Sequence, residues 1–216
     1  MQALPLLYYV YNTLRMNMPF YRDKAMQDLR DQIRRDQLAS FVRLKGGFPF
    51  PLAGAIYWLA LGVAGYFLTL KQWNLAAFIF SGAIFPLAIL LSKLFRSDFM
   101  KDRTATGDVL GPAFTSMLLF YAIAFPAYFA APELLPLIVA VGMSQHWPVI
   151  GWSYGKPLLY SAHAVIRALG AAAIWVMLPD GRTTLLPFWV AAVYLGTVVA
   201  IIAVWRTERA RAAAPA

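Results

Sequence analysis

Cysteine is absent from this 216-residue chain, which excludes disulfides, thiolate metal centres and cysteine nucleophiles. Histidine is almost as scarce, with His146 and His163 the only two. A zinc site takes three or four ligands, and no carboxylate lies in the apolar runs to complete one, so neither metal nor cofactor is expected. Charge is sparse as well. Only 13% of residues are charged, where a soluble domain carries roughly 25%. There is no Gly-rich phosphate loop, no HExxH and no GxSxG, so no recognised catalytic motif argues for an enzyme. Ser161 and His163 are two apart, a spacing that does not share a helix face.

What is present is hydrocarbon in long blocks. The chain is 61% hydrophobic with a mean hydropathy of +0.60, the signature of a polytopic membrane protein. Six apolar spans are predicted: Phe50 to Leu70, Trp73 to Leu91, Pro112 to Ala131, Leu134 to Ile150, Leu158 to Leu178 and Leu185 to Trp205. A helix rises about 1.5 Å per residue, so each comes close to crossing roughly 30 Å of hydrocarbon. Backbone polar groups must be satisfied within each span, which leaves helices as the only option at this length. The fold class is therefore an all-α, six-helix membrane bundle covering residues 49–205. Spans one to three and four to six show no persuasive internal repeat.

Ahead of the bundle, Tyr21 to Lys45 is polar and mixed in charge. Met26, Leu29, Ile33, Phe41 and Leu44 fall near helical spacing, with Gln37 interrupting the stripe. This predicts an amphipathic helix within a cytoplasmic region, residues 1–48. An ordinary solvated helix is the competing reading. Leu4 to Tyr11 is apolar but short and lacks a basic n-region, unlike a signal peptide. Met16, Met18 and Met26 are in-frame alternative starts for residues 1–25. Gly46-Gly47 ends the helix, and Phe48-Pro49 leads into the first span.

The net charge of +9 gathers beside the apolar runs, so anionic lipid is the expected partner and nucleic acid is not. Of the 19 Lys and Arg, all but Lys71, Arg182 and Arg167 fall on one side of the six-span layout. The positive-inside rule then puts both termini, including a basic tail at 206–216, in the cytoplasm of a bacterial inner-membrane protein. Trp73, Trp147, Trp152, Trp189 and Trp205 lie near span ends, as interface anchors do.

Arg167 stands at the middle of the fifth span. A cation at that depth costs about 2.5–3.5 kcal/mol on insertion scales and usually faces the protein interior with a partner. No carboxylate in the spans can serve. Gln145 and His146 sit about 6–8 Å from the cytoplasmic end of span four, His163 about 8 Å into span five and Arg167 about 14 Å. His163 and Arg167 are four apart and share a face. If that face turns to span four, Gln145, His146, His163 and Arg167 line one polar pocket, with the carbonyl near Ser144 freed by Pro148. Such a pocket would hold a small anion or relay protons. The bland reading is that these groups satisfy one another and fix helix pairing. Ala164, Ala168 and Ala172, like Gly151 and Gly155, are spaced for close helix approach. Asp98, Asp102 and Asp108 read as part of a solvated loop.

Lys45-Gly46-Gly47-Phe48-Pro49-Phe50 running into Ala55-Ile56-Tyr57-Trp58 resembles the first span of an uncharacterised bacterial family of small multi-pass membrane proteins. Ile84-Phe85-Pro86-Leu87-Ala88 with Ser92-Lys93 resembles its second span, and His146, Pro148, Trp152 and Tyr154 its aromatic segment after the fourth. The resemblance covers Met26 to Trp175. It implies a shared membrane fold, brings no known activity, and draws attention to His146. Three functions follow as expectations: handling of a small solute or ion as a transporter, a non-transporting assembly or regulatory component, and a lipid-modifying enzyme.

Overall fold

Glycine and proline punctuate the helices of the computed structural model, which describes residues 19–97, 99–102, 104 and 106–213. Leu4 to Tyr11, Met16, Met18, Asp98 and Arg103 lie outside the described residues. The chain divides into two units, Met1–Asp36 and Gln37–Ala216. The boundary falls within the first helix, α1 (Pro19–Arg43). In the first unit, Met26 and Leu29 are about half exposed, at 46% and 50%.

In the second unit, Lys45, Gly46 and Gly47 all take positive φ, which turns the chain sharply after α1. Gly46 has no room for a side chain: a Cβ there would lie 2.6 Å from Ile201. Helix α2 (Pro49–Ala64) then begins with Pro at its first turn. Next come α3 (Leu70–Ser81), α4 (Ile84–Leu94), α5 (Leu110–Leu118), α6 (Tyr121–Ala130), α7 (Leu135–Gly142), α8 (Trp147–Ser153), α9 (Pro157–Met177) and α10 (Leu185–Ala213). Thr69 and Gln72 close a reciprocal capping box at the start of α3.

The fold is all-α, and its helices make five stretches long and apolar enough to span a membrane. Helices α3 and α4, bent by 47° at their junction, are together long and apolar enough to count as a sixth if they form one broken span. These coincide with the six spans expected. Most boundaries shift by one to three residues, and two helix ends differ by more. The first span stops at Ala64 with Gly65 as its C-cap, at a point where the Thr183 carbonyl leaves no room for a Cβ. The last helix does not end at Trp205 but continues to Ala213, where Glu208 pairs with Lys156 at 2.6 Å.

Helix α2 packs most extensively on α10. Small residues make this possible, since lipid offers no hydrophobic drive between helices and close contact must supply the attraction. A Cβ at Gly54 would lie 2.5 Å from the Tyr194 ring, and one at Gly62 would lie 2.9 Å from Phe188. The α9–α10 approach uses Gly170, where a Cβ would meet the Trp189 ring. Ala164, Ala168 and Ala172 are only half-buried, so the tight seam runs beside that stripe.

Helix α9 is apolar outside and polar inside. Tyr160, His163, Arg167 and Ala171 form its buried face at helical spacing, while Leu158, Val165, Leu169 and Val176 are exposed. That is the inverse of a soluble helix and suits a lipid surround.

The tryptophans divide. Trp152 is exposed, as an interface anchor would be, but Trp73 and Trp147 are buried. Trp73 donates its indole N–H to the Leu61 carbonyl at 2.9 Å, so its place is set by helix packing. Gln37 is not a flaw in a stripe. It is buried, at 7% exposure, and its amide donates to the Trp152 carbonyl at 2.6 Å.

Candidate functional site

Arg167 is fully buried. Its Nη1 donates to the Tyr194 hydroxyl at 2.8 Å, and its guanidinium lies 5.2 Å from the centre of the Trp58 ring and 5.0 Å from that of Tyr194. Cation–π attraction of this kind strengthens when desolvated, so two aromatic faces and one phenol stand where a carboxylate is missing. Nε and Nη2 find no hydrogen-bond acceptor among the described residues.

One turn earlier, His163 Nδ1 lies 2.8 Å from the Thr197 hydroxyl. Thr197 donates its own proton to the Val193 carbonyl at 2.7 Å, so the histidine Nδ1 is the donor in that pair. His163 and Arg167 are four apart on α9, and Tyr194 and Thr197 three apart on α10. Two parallel rungs therefore join the helices.

The polar face of α9 meets span four through Trp147, whereas its hydrogen-bond partners come from α10 and one aromatic face from Trp58 of α2. Span four contributes Trp147, whose ring sits 4.6 Å from that of His163. Gln145 is exposed, and no hydrogen bond joins it to the other three among the described residues. The Ser144 carbonyl is not free, because it accepts from the Trp147 N–H at 3.2 Å. Pro148 lies in the first turn of α8, where it displaces no bond.

His146 leads to a feature the spacing did not reveal. Three successive spans are interrupted: span two at Gly82–Ala83, span three at Leu119–Phe120 and span four at Met143–His146. At each, backbone bonds tighten to the residue three back, as in Ala83 to Phe80, Phe120 to Met117 and Ser144 to Val141. Short 3₁₀ segments within helices often mark hinges or functional sites. Serine side chains occupy carbonyls at two of them: Ser81 donates to Phe78 and Ser144 to Val141, each at 2.6 Å.

All three interruptions line one cavity of about 400 Å³. Gly82, Phe120, Tyr121, Met143, His146, Trp147 and Tyr194 are among its walls. The lining is largely aromatic and apolar, and its polar residues are Ser81, Tyr121, His146 and Tyr194. His146 Nδ1 is buried and has no hydrogen-bond partner among the described residues. Non-helical backbone at membrane depth is tolerated where it is buried in protein or lines a cavity.

A second cavity of about 280 Å³ shares Phe50, Phe85, Phe114 and Trp147 with the first. Its far walls include Ser40, Asp102, Asp108, Tyr154 and Tyr160. Asp102 is not a solvated loop residue. Its side chain is 8% exposed, and it accepts from Ser40 and from Arg43, whose Nε is 2.8 Å away. Burial pushes the Tyr154 phenol well above its ordinary range, and the Asp102 charge adds to the shift. That hydroxyl therefore keeps its proton at physiological pH. Asp102 escaped sequence reasoning because its partners lie more than fifty residues away and share no periodicity with it.

The second unit is thus a helix bundle of membrane type, with interrupted spans around a partly open chamber and a buried arginine beside it. The chain belongs to a family of unknown function (DUF7010), whose family model matches residues 31–204. The match takes in the first five spans and α10 as far as Val204, starting after the expected limit at Met26 and reaching beyond the one at Trp175. No curated protein and no solved structure matches the chain.

Proposed function

We propose that this membrane protein binds a small, mostly apolar solute in the 400 Å³ chamber, with access through the outer cavity at Asp102. The observation that carries this is the convergence of three helix interruptions on one cavity. Binding sites in membrane carriers are typically made where discontinuous helices meet, and small-molecule pockets are concave, largely apolar and furnished with a few polar groups. We further propose an N-in, C-in orientation in a bacterial inner membrane, from the loop charge, with anionic lipid at the basic face.

A second reading has its own support. Arg167 is fully covered and held by aromatic faces, as a structural tie in a non-transporting membrane component would be. The chamber and the tie are compatible, because the chamber's walls include Tyr194 and not Arg167 itself.

The test is thermal stability of the full-length protein in detergent against a panel of small apolar compounds. A ligand that binds only the folded state raises its stability with concentration. Met117→Trp, which fills the chamber from α5, should abolish the response while the protein stays folded. A wild type that no compound stabilises, or a response that Met117→Trp leaves intact, rejects the chamber as the site.

A further inference from the structure

We infer that the chamber selects an anionic head group, a carboxylate on an apolar body, read by the Tyr194–Arg167 pair through the Tyr194 hydroxyl. The inference rests on the chamber reading above and adds the charge of the ligand. It starts from a hydrogen-bond count. The Tyr194 oxygen accepts from Arg167 Nη1 at 2.8 Å, and the hydroxyl has one proton of its own to donate. No acceptor for that proton exists among the described residues. A hydrogen bond from a cation polarises the hydroxyl that receives it and makes that hydroxyl a stronger donor. Tyr194 is buried and forms part of the chamber wall. A polarised O–H thus belongs to a residue in the wall of an apolar space.

Charge points the same way. Arg167 has no carboxylate partner among the described residues, and the apolar spans contain none. Its field inside the bundle is therefore uncompensated by any fixed anion among the described residues, and intramembrane cations of this kind mark substrate and ion pathways. Tyr194 lies between that charge and the chamber. A second unpartnered atom, His146 Nδ1, belongs to another chamber wall and is the natural second contact for a two-oxygen head. The hydroxyls of Ser81 and Tyr121 do not compete, since Ser81 donates to Phe78 and Tyr121 can donate to Ser81. At the outer cavity, Asp102 is neutralised by Arg43, and Asp108 is exposed, where solvent screens charge. Neither is positioned to reverse the preference. The aromatic walls supply the apolar share of binding, and the head group supplies the selection.

The experiment uses two matched sets of probes on the full-length protein in detergent: benzoate, benzyl alcohol and benzylamine, and hexanoate, hexanol and hexylamine. Half-saturating concentrations are read from thermal stabilisation and from the change in intrinsic tryptophan fluorescence, to which Trp147 in the chamber wall contributes. The expected result is a carboxylate preference of at least about tenfold over the alcohol and amine of the same set. Tyr194→Phe keeps the ring over Gly54 and removes the hydroxyl. It should bring the carboxylate-to-alcohol ratio close to one while leaving alcohol binding unchanged. Arg167→Leu should do the same, and Tyr194→Phe decides the matter if that protein does not fold. Equal or tighter binding of alcohol or amine overturns the inference and leaves the chamber reading standing. A carboxylate preference that survives Tyr194→Phe overturns it too, by moving the anion elsewhere. No binding by either set overturns both.

Discussion

Ser81 and Tyr121 share a hydrogen bond of 2.6 Å between their hydroxyls, and each residue stands at the interruption of a different span. The bond ties the bend of span two to that of span three at the rim of the chamber. The neighbouring tie is steric: a Cβ at Gly142 would lie 2.5 Å from the Phe120 ring, which brings span four against the same point. The interruptions are thus one contiguous structural feature.

The pair should therefore be energetically coupled. Ser81→Ala and Tyr121→Phe each remove one hydroxyl, and their double-mutant cycle in detergent unfolding should give about 0.6–2 kcal/mol. Strictly additive single-mutant effects would show that the two bends are held independently.

Arg167 offers a comparison of two substitutions. Arg167→Leu removes the buried charge and replaces it with hydrocarbon, a change buried ionic sites often tolerate. Arg167→Lys keeps the charge but loses the planar group that lies against Trp58 and Tyr194. The lysine protein should be the less stable of the two. Thermal unfolding that ranks them the other way would mean that charge, and not aromatic contact, holds the site.

Arg43 and Asp102 should respond unequally to truncation. The arginine side chain is 52% exposed and the aspartate 8%. Removing Arg43 strands a nearly buried carboxylate, whereas removing Asp102 returns a cation to water. Arg43→Ala should lower the unfolding midpoint more than Asp102→Asn. The opposite order would show that Ser40 alone satisfies the carboxylate.

Topology has a direct readout. Reporter fusions after Ser97 and Ala213 should score cytoplasmic and a fusion after Asp180 periplasmic, from the one-sided loop charge. A periplasmic C-terminus would eliminate the N-in, C-in arrangement.

Span number and helical class were legible in the sequence because hydrocarbon thickness imposes one length scale on every apolar run. Arg167 was legible as an anomaly for the same reason: a cation at mid-span violates the dominant pattern. Its neighbour at four residues, His163, followed from helix geometry alone. The direction of that shared face was not legible. Helical spacing places His163 and Arg167 on one stripe but leaves open which helix the stripe meets. The partners Tyr194 and Thr197 lie in an ordinary apolar span and carry no local signal. Gln145 was assigned with His146 by depth, yet consecutive residues in a turn point apart, and Gln145 is exposed.

The chamber illustrates the same division. Gly82, Phe120 and Gly142 each look unremarkable in an apolar run, and hydropathy averages over the interruptions they accompany. Only when three spans pack together do their interruptions meet, because each bend is stabilised by contacts with the next. The sequence by itself determined how many times the chain can cross a bilayer, where its charge gathers and that one cation must be accommodated inside. The tertiary structure alone decided which aromatic faces accommodate it and where a cavity opens, since those depend on side-chain contacts between segments far apart in the chain.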